Sequence, residues 1–469
     1  MTTAIVVGSG PNGLAAALTL ADAGVEVTVL EAQDRLGGGA SSSELTLPGL
    51  VHDDCSAIHP LAIGSAFAKA FDLTAAGLTW RWPEVQFSHP IDGGRGGAVW
   101  RSVETTADSL GTDGRSWRRL FGPLAERFAG LSADILQPVL HVPDHPVQLA
   151  RFGAYAALPV PVLGRRWETP EARGLFAGAA AHTFRPFSGL LSSSIPLALG
   201  ASAHALGWPV AEGGTGEISR AIIELATARG VRFETGVRVD SLDQLGAPDI
   251  VMLDTSPRAA ADIVGDRMPA RVARAYRSYR HAAGAFKVDY AVEGGVPWTH
   301  EPSRSAGTVH VGGTYEEIAA AELTVSKGRM PERPFVLVGQ QYVADPTRSR
   351  DGVHPLYAYA HVPAGYSGDA TEAITSQIER FAPGFRDRVR ATHVRTTADF
   401  ESGNPNLVGG DIIAGANTAR QLVFRPRTTL HPYATGAPGV HLCSAATPPG
   451  AGAHGMCGYN AARYALRHA

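Results

Sequence analysis

The residues with the most chemical content are glycines. Gly8-Ser9-Gly10-Pro11-Asn12-Gly13 sets three of them in G-x-G-x-x-G spacing, and Glu31 stands 18 positions past Gly13. At a strand-to-helix turn, the first glycine of such a run makes the bend and the second lets backbone approach a pyrophosphate. The third lets helix and strand pack closely, and the acid accepts ribose hydroxyls. The pyrophosphate is then met by the free N–H groups and dipole of the helix start. A second bare stretch follows at once: Ala32, Arg35, Gly37, Gly38, Gly39, Ala40. A ligand that ends at NAD has no need of it. A ligand that runs on towards a flavin, as FAD does, would use it, the alternative being a flexible loop. Two further clusters, Gly213 to Gly216 and Gly450 to Gly458, each precede a helical pattern and are expected to meet the same long cofactor.

Other reactive side chains are few. Lys287 is one of three lysines, with Lys69 and Lys327, among 41 basic residues, and it sits in the apolar run Ala285-Phe-Lys-Val-Asp-Tyr. Either it has a specific task or it lies on a solvated strand face. His454 lies in the last glycine cluster, where it would transfer a proton or bond the backbone of a tight loop. His59 follows Cys55, a pair too small for a metal site, and Cys443 and Cys457 lack CxxC spacing, so no metal is expected. His361, within a strand pattern, reads as packing. A P-loop, a G-x-S-x-G elbow and HExxH are all missing, which removes ATPase, serine hydrolase and zinc enzyme.

The elements that must position these groups are legible in outline. Ala4–Val7, a helix from Leu14 closed by Gly24, and Val25–Leu30 form a βαβ unit around the first glycine turn. Strand patterns recur at 231–235, 237–240, 249–254, 285–292, 335–340, 356–362 and 439–443. The chain thus reads as α/β: a Rossmann-like FAD-binding domain from 1–100, 207–265 and 432–469, interleaved with a substrate domain of mixed sheet plus helical insert from 101–206 and 266–431. No Asp, Glu, Lys or Arg occurs between Arg185 and Glu212, which suggests a buried helix pair walling an apolar cavity, or a surface that touches membrane. The 469 residues are 44% hydrophobic and 18% charged, enough for a large core, and the net charge of −3 gives no basic excess for nucleic acid. Three cysteines, an opening without a basic leader and no long apolar run lead to the expectation of a cytoplasmic protein, peripheral to a membrane at most.

The glycine fingerprint, Glu31, Arg35-Leu-Gly-Gly, His52-Asp-Asp-Cys-Ser-Ala-Ile-His-Pro60, Asn404 to Asp411, Phe424-Arg-Pro and Ala446-Thr-Pro-Pro-Gly-Ala-Gly-Ala-His-Gly together resemble the phytoene desaturase-like FAD oxidoreductases. This is a branch of the amine oxidase superfamily that includes the pyridine nucleotide-disulfide oxidoreductase domain-containing 2 proteins. The resemblance implies that Gly8, Gly10, Pro11, Asn12, Gly13, Glu31 and Ala32 hold the ADP part of FAD. Arg35 and Gly37 to Ala40 would follow the pyrophosphate and ribityl, and Val239 would edge the adenine. Ser444, Gly452, His454, Gly455 and Met456 would approach the flavin. It also implies catalytic positions for Lys287, like the lysine beside flavin N5 in amine oxidases, and for His59 and His454 near the ring. Two positions depart from the family pattern: His454 replaces a proline usual in carotenoid desaturases, and Gly39 replaces the second arginine of Arg-x-Gly-Gly-Arg. The implied activity is dehydrogenation of a lipophilic small molecule, with oxygen or a quinone as acceptor. The alternatives are an amine or amino acid oxidase, a redox-neutral isomerase, or an FAD-binding scaffold.

Overall fold

The computed structural model describes residues 2–468. Two main sheets are built from β1 (Thr3–Val7), β2 (Glu26–Leu30), β3 (Val85–Ile91), β4 (Arg95–Trp100), β5 (Arg232–Glu234), β6 (Ile250–Leu253), β7 (Gly284–Glu293), β8 (Ala306–Val311), β9 (Val336–Gly339), β10 (Val353–Val362), β11 (Val389–Arg395) and β12 (Val440–Leu442). The helices that matter to the site are α1 (Pro11–Asp22), α2 (Pro170–Ala181), α3 (Ser194–Ala205), α4 (Gly216–Thr227), α5 (Tyr315–Ser326) and α6 (Met456–Leu466).

The first sheet is parallel, in the order β12-β6-β1-β2-β5. Its central strands are covered on both faces, so they read as continuous apolar runs such as Ile250-Val-Met-Leu, all buried. Helix α1 starts with Pro11 in its first position, where a missing N–H costs nothing. It packs on α6 at the distance glycine permits: a Cβ on Gly458 would lie 1.8 Å from the Asn12 carbonyl oxygen.

The second sheet is mixed, in the order β11-β7-β10-β9-β8-β3-β4, with β3 and β8 parallel and the other pairs antiparallel. Residues 85–100 therefore pair with the second sheet, not with the Rossmann-like segment to which their position before residue 100 had assigned them. Residues 237–240 form no strand; they run past the end of β2, where Val237 N donates to the Glu31 carbonyl. The charge-free stretch contributes one helix, α3, whose partner α2 comes from upstream of it, and both are buried in the core beneath the second sheet. Of that stretch, Leu190 is the large apolar side chain left exposed. Among the described residues no helix is long and apolar enough to cross a membrane.

Candidate functional site

The first glycine turn packs around one carboxylate. Asp254, at the end of β6, accepts a 2.9 Å hydrogen bond from Gly13 N at the start of α1. A Cβ on Gly10 would lie 2.6 Å from Asp254 Oδ2, and one on Gly13 would lie 2.1 Å from the Gly8 carbonyl oxygen. Gly8 itself has φ +98°, open to glycine at little cost. Burial chiefly, and the negative charge of Glu31 besides, push the Asp254 carboxyl up to about 7. Glu31 ends β2 and is tied in place: Ser9 N and Oγ donate to its Oε2 at 2.8 and 2.6 Å, and Gln33 N donates to Oε1 at 2.9 Å.

A groove of about 140 Å³ runs over this turn, lined by Gly8, Gly10, Glu31, Ala32, Arg35, Gly38 and Val239 among others. It shares Gly10, Asp254, Asn404 and Asn406 with a larger cavity of about 320 Å³. The groove at the expected adenine end and the cavity in the space between the two sheets thus adjoin at the helix start, and together they mark one path. Asn406 holds the junction, donating from Nδ2 to the Asp254 carbonyl and accepting from Ser256 N.

The path fits FAD by three observations. Bare backbone lines it where the diphosphate would run, and a Cβ on Gly38 would come within 2.9 Å of Gly10 Cα. The buried Asn12 Oδ1, on a residue that lines the cavity, has no protein partner. Beyond the turn, Pro11, Gly39, Ser444 and Gly452 border the cavity, where a ring system would lie.

The second sheet supplies the opposite wall through register. Cross-strand partners share a face, so His393, Asp289, Tyr357, Gly339 and Thr308 form one row across β11, β7, β10, β9 and β8. Arg395, Lys287, Tyr359, Leu337 and His310 form the next. Tyr357, Tyr359, Leu337 and Thr308 reach the cavity from these rows, and Trp208, Leu199 and His182 close it from the helical side. The Tyr357 and Tyr359 rings stand edge to face, 5.9 Å apart.

Several expected residues lie elsewhere. Lys287 is fully buried, which excludes a solvated strand face, yet it does not line the cavity. Its ammonium pairs with Asp289 and sits 4.5 Å over the Tyr357 ring, one side chain behind the wall. Asp289 is held below the usual carboxylate range by Lys287 and by His393 and His52, despite burial. His454 points away from the cavity: its Nδ1 accepts from Met456 N, the loop-bonding alternative, and it faces a separate small pocket with Phe67 and Trp80. His59 bonds Thr215 Oγ1 at 3.0 Å and packs edge-on against Trp80. Burial depresses both imidazoles to about 4.

Among the glycines, Gly37 turns the chain, its N–H donating to the Ser9 carbonyl. Gly455, at φ +68°, starts α6 against Phe67, and Met456 Sδ accepts from Phe67 N; both thus lie off the path. Ala40 is buried beside Ser219, whose Oγ donates to its carbonyl. The Gly213 to Gly216 cluster does not meet the path either. Its N–H groups are taken by the chain's own side chains: Gly213 N by Asp345, Thr215 N by Asp53 and Gly216 N by Ser42. His361 is packed as expected, on Phe184, and bonds Glu322 at 2.7 Å. Cys55 borders the cavity, but burial pushes its thiol up to about 11, so it is no thiolate near neutrality. Among the described residues no cluster of three or more metal-ligating side chains occurs.

Asp254, Tyr357, Tyr359, Thr308, Trp208 and His182 were not singled out by motif. The acid at the end of a buried strand facing a glycine turn was the one available signal; the others depend on register.

Residues 6–71 match the NAD(P)-binding Rossmann-like domain. Over nearly the whole chain, 99%, the sequence is 22% identical to mouse pyridine nucleotide-disulfide oxidoreductase domain-containing protein 2, of which 93% is covered. It is 25% identical to phytoene dehydrogenase of Streptomyces griseus, over 82% of this chain and 77% of that one. The chain is a homologue of these oxidoreductases. Its fold is shared with solved oxidoreductases. A Methanosarcina mazei oxidoreductase superposes with a TM-score of 0.65 at 13% identity, covering 99% of this chain and all of that one. Putrescine oxidase gives 0.62 at 18% identity, with 99% and 98% covered.

Proposed function

We propose that this oxidoreductase binds FAD and dehydrogenates or desaturates a lipophilic small molecule, passing electrons on to oxygen or a quinone. The observation that carries the reading is the adjacency of two spaces: a bare-backbone groove that shares Gly10, Asp254, Asn404 and Asn406 with an apolar cavity walled by Leu199, Trp208, Leu337, Tyr357 and Tyr359. When bound, FAD supplies the hydride-accepting chemistry. The chain's part is to hold the diphosphate on the start of α1, seat the ribose by Glu31, and keep water from the space between the sheets. Lys287, behind Tyr357, acts on this space through its positive charge and not by contact. His59 and His454 serve as fixed neutral supports of the loops around it.

Purified protein is expected to carry, or take up, FAD with a protected flavin spectrum, and to be reduced anaerobically by an apolar substrate bearing adjacent C–H bonds. Colourless protein that no FAD reconstitutes would overturn the reading. The edge-to-face pair Tyr357 and Tyr359 favours a second reading, amine oxidation, which predicts peroxide release on addition of amines.

A further inference from the structure

The cavity has a polar end that the proposed reaction does not use. Thr308 is 1% exposed, borders the cavity, and its Oγ1 has no hydrogen-bond partner. Its neighbour in the row is Gly339, so the middle strand places no side chain between it and Tyr357. Beside it, two positions along β8, His310 bonds the cavity-lining His182, Nε2 to Nε2 at 2.9 Å. One of two imidazoles so joined donates and the other accepts, which holds the orientation of the His182 ring. Burial pushes His182 down to about 3, and His310 well below its ordinary value, so both are neutral at physiological pH. Charge is scarce around them. No lysine, arginine or glutamate borders the cavity among the described residues, and its one carboxylate, Asp254, belongs to the groove end. His281, which also borders it, is taken up by Asp411 at 3.2 Å.

A buried hydroxyl without a partner costs free energy that a ligand group restores. An apolar pocket ending in uncharged hydrogen-bonding groups discriminates against ionised ligands, whose desolvation it cannot offset. Resting on the reading above, we infer that Thr308 and His182 form a substrate anchor for a neutral hydroxyl or carbonyl group. The substrate class is then an uncharged apolar molecule carrying an alcohol or ketone, rather than an amine or a carboxylate.

Calorimetric titration of the FAD-loaded protein with four probes built on the same six-membered ring tests this: cyclohexanol, cyclohexanone, cyclohexylamine and cyclohexanecarboxylate. The alcohol or ketone should bind at least about tenfold tighter than the two ionised probes. Thr308→Val, which keeps shape, should weaken the favoured probe by about three- to tenfold, and Thr308→Ser should restore it. Tighter binding of the amine or carboxylate, failure of the alcohol and ketone to bind, or unchanged affinity in Thr308→Val would each overturn the anchor. Failure to load FAD would instead overturn the functional reading, and the same titration on the unloaded protein would still report the preference of the anchor.

Discussion

The two walls of the path are built by opposite means. On the parallel sheet, function lies in what is missing: glycines whose Cβ would collide with Asp254 or Gly8, leaving the backbone bare for a ligand to approach. On the mixed sheet, function lies in side chains brought into rows by the pairing of five strands, with a buried ion pair behind them. Bare backbone recognises a constant ligand, since diphosphate chemistry does not vary. A wall of side chains is where one substrate can be told from another, because each position can change without altering the backbone that carries it.

The sharpest way to break this contrast is the ion pair. Lys287→Met or Asp289→Asn leaves one charge buried without its partner and should cost about 3 to 5 kcal/mol in denaturant unfolding. The double variant should recover much of that loss. If Lys287 also acts on the flavin space, flavin reduction or reoxidation rates will change in Lys287→Met, and unchanged rates would confine it to structure. On the bare wall, Gly13→Ala forces a Cβ into the Gly8 carbonyl and should cost about 1 to 3 kcal/mol with loss of FAD retention. Gly24→Ala, where no atom lies within 4 Å of the new Cβ, should leave FAD retention intact and show only the penalty of its φ of +81°.

Asp254 stands where the two walls meet, and its titration gives a sign. With its carboxyl raised from 3.8 to about 7, the folded protein holds a proton that the unfolded chain has released. Its contribution is therefore fully present below about pH 4 and is lost as pH rises through the window to about 7. Asp254→Asn should flatten the pH dependence of apoprotein unfolding across that window. FAD affinity of the wild type should weaken above about pH 7, as the ionised carboxylate repels the diphosphate. The smallest effect expected is at the surface: Val139, Leu140, Val142 and Val147 are exposed together in one short segment. If peripheral membrane contact occurs, this patch carries it, and Val142→Glu should reduce sedimentation with phospholipid vesicles while leaving flavin content unchanged.

Much of the groove was legible because its demands are local. A turn that must approach a diphosphate needs glycine at set spacing, and the strand, helix and acid follow within one βαβ unit. Local likeness misled where the same signature served another end. Gly213 to Gly216 has the look of a ligand turn, yet Asp345, Asp53 and Ser42 use its N–H groups. His454 and His59 lie in the expected loops, but a loop's place does not set the direction of its side chain. Residues 85–100 were misassigned because strand pairing is settled by partners more than 200 residues away.

The amino-acid sequence by itself determined the nucleotide end: Gly8 to Gly13, Glu31 and the parallel strands around them, since each depends on near neighbours and on the steric freedom of glycine. Only the tertiary structure decided the other wall. Lys287 was visible as an unusual residue, but its full burial, its place behind Tyr357, and the setting of Thr308 in the cavity wall beside His310 arise from register across a sheet. In a strand, a one-residue shift turns every side chain to the opposite face, so composition and spacing alone could not choose between core, surface and cavity.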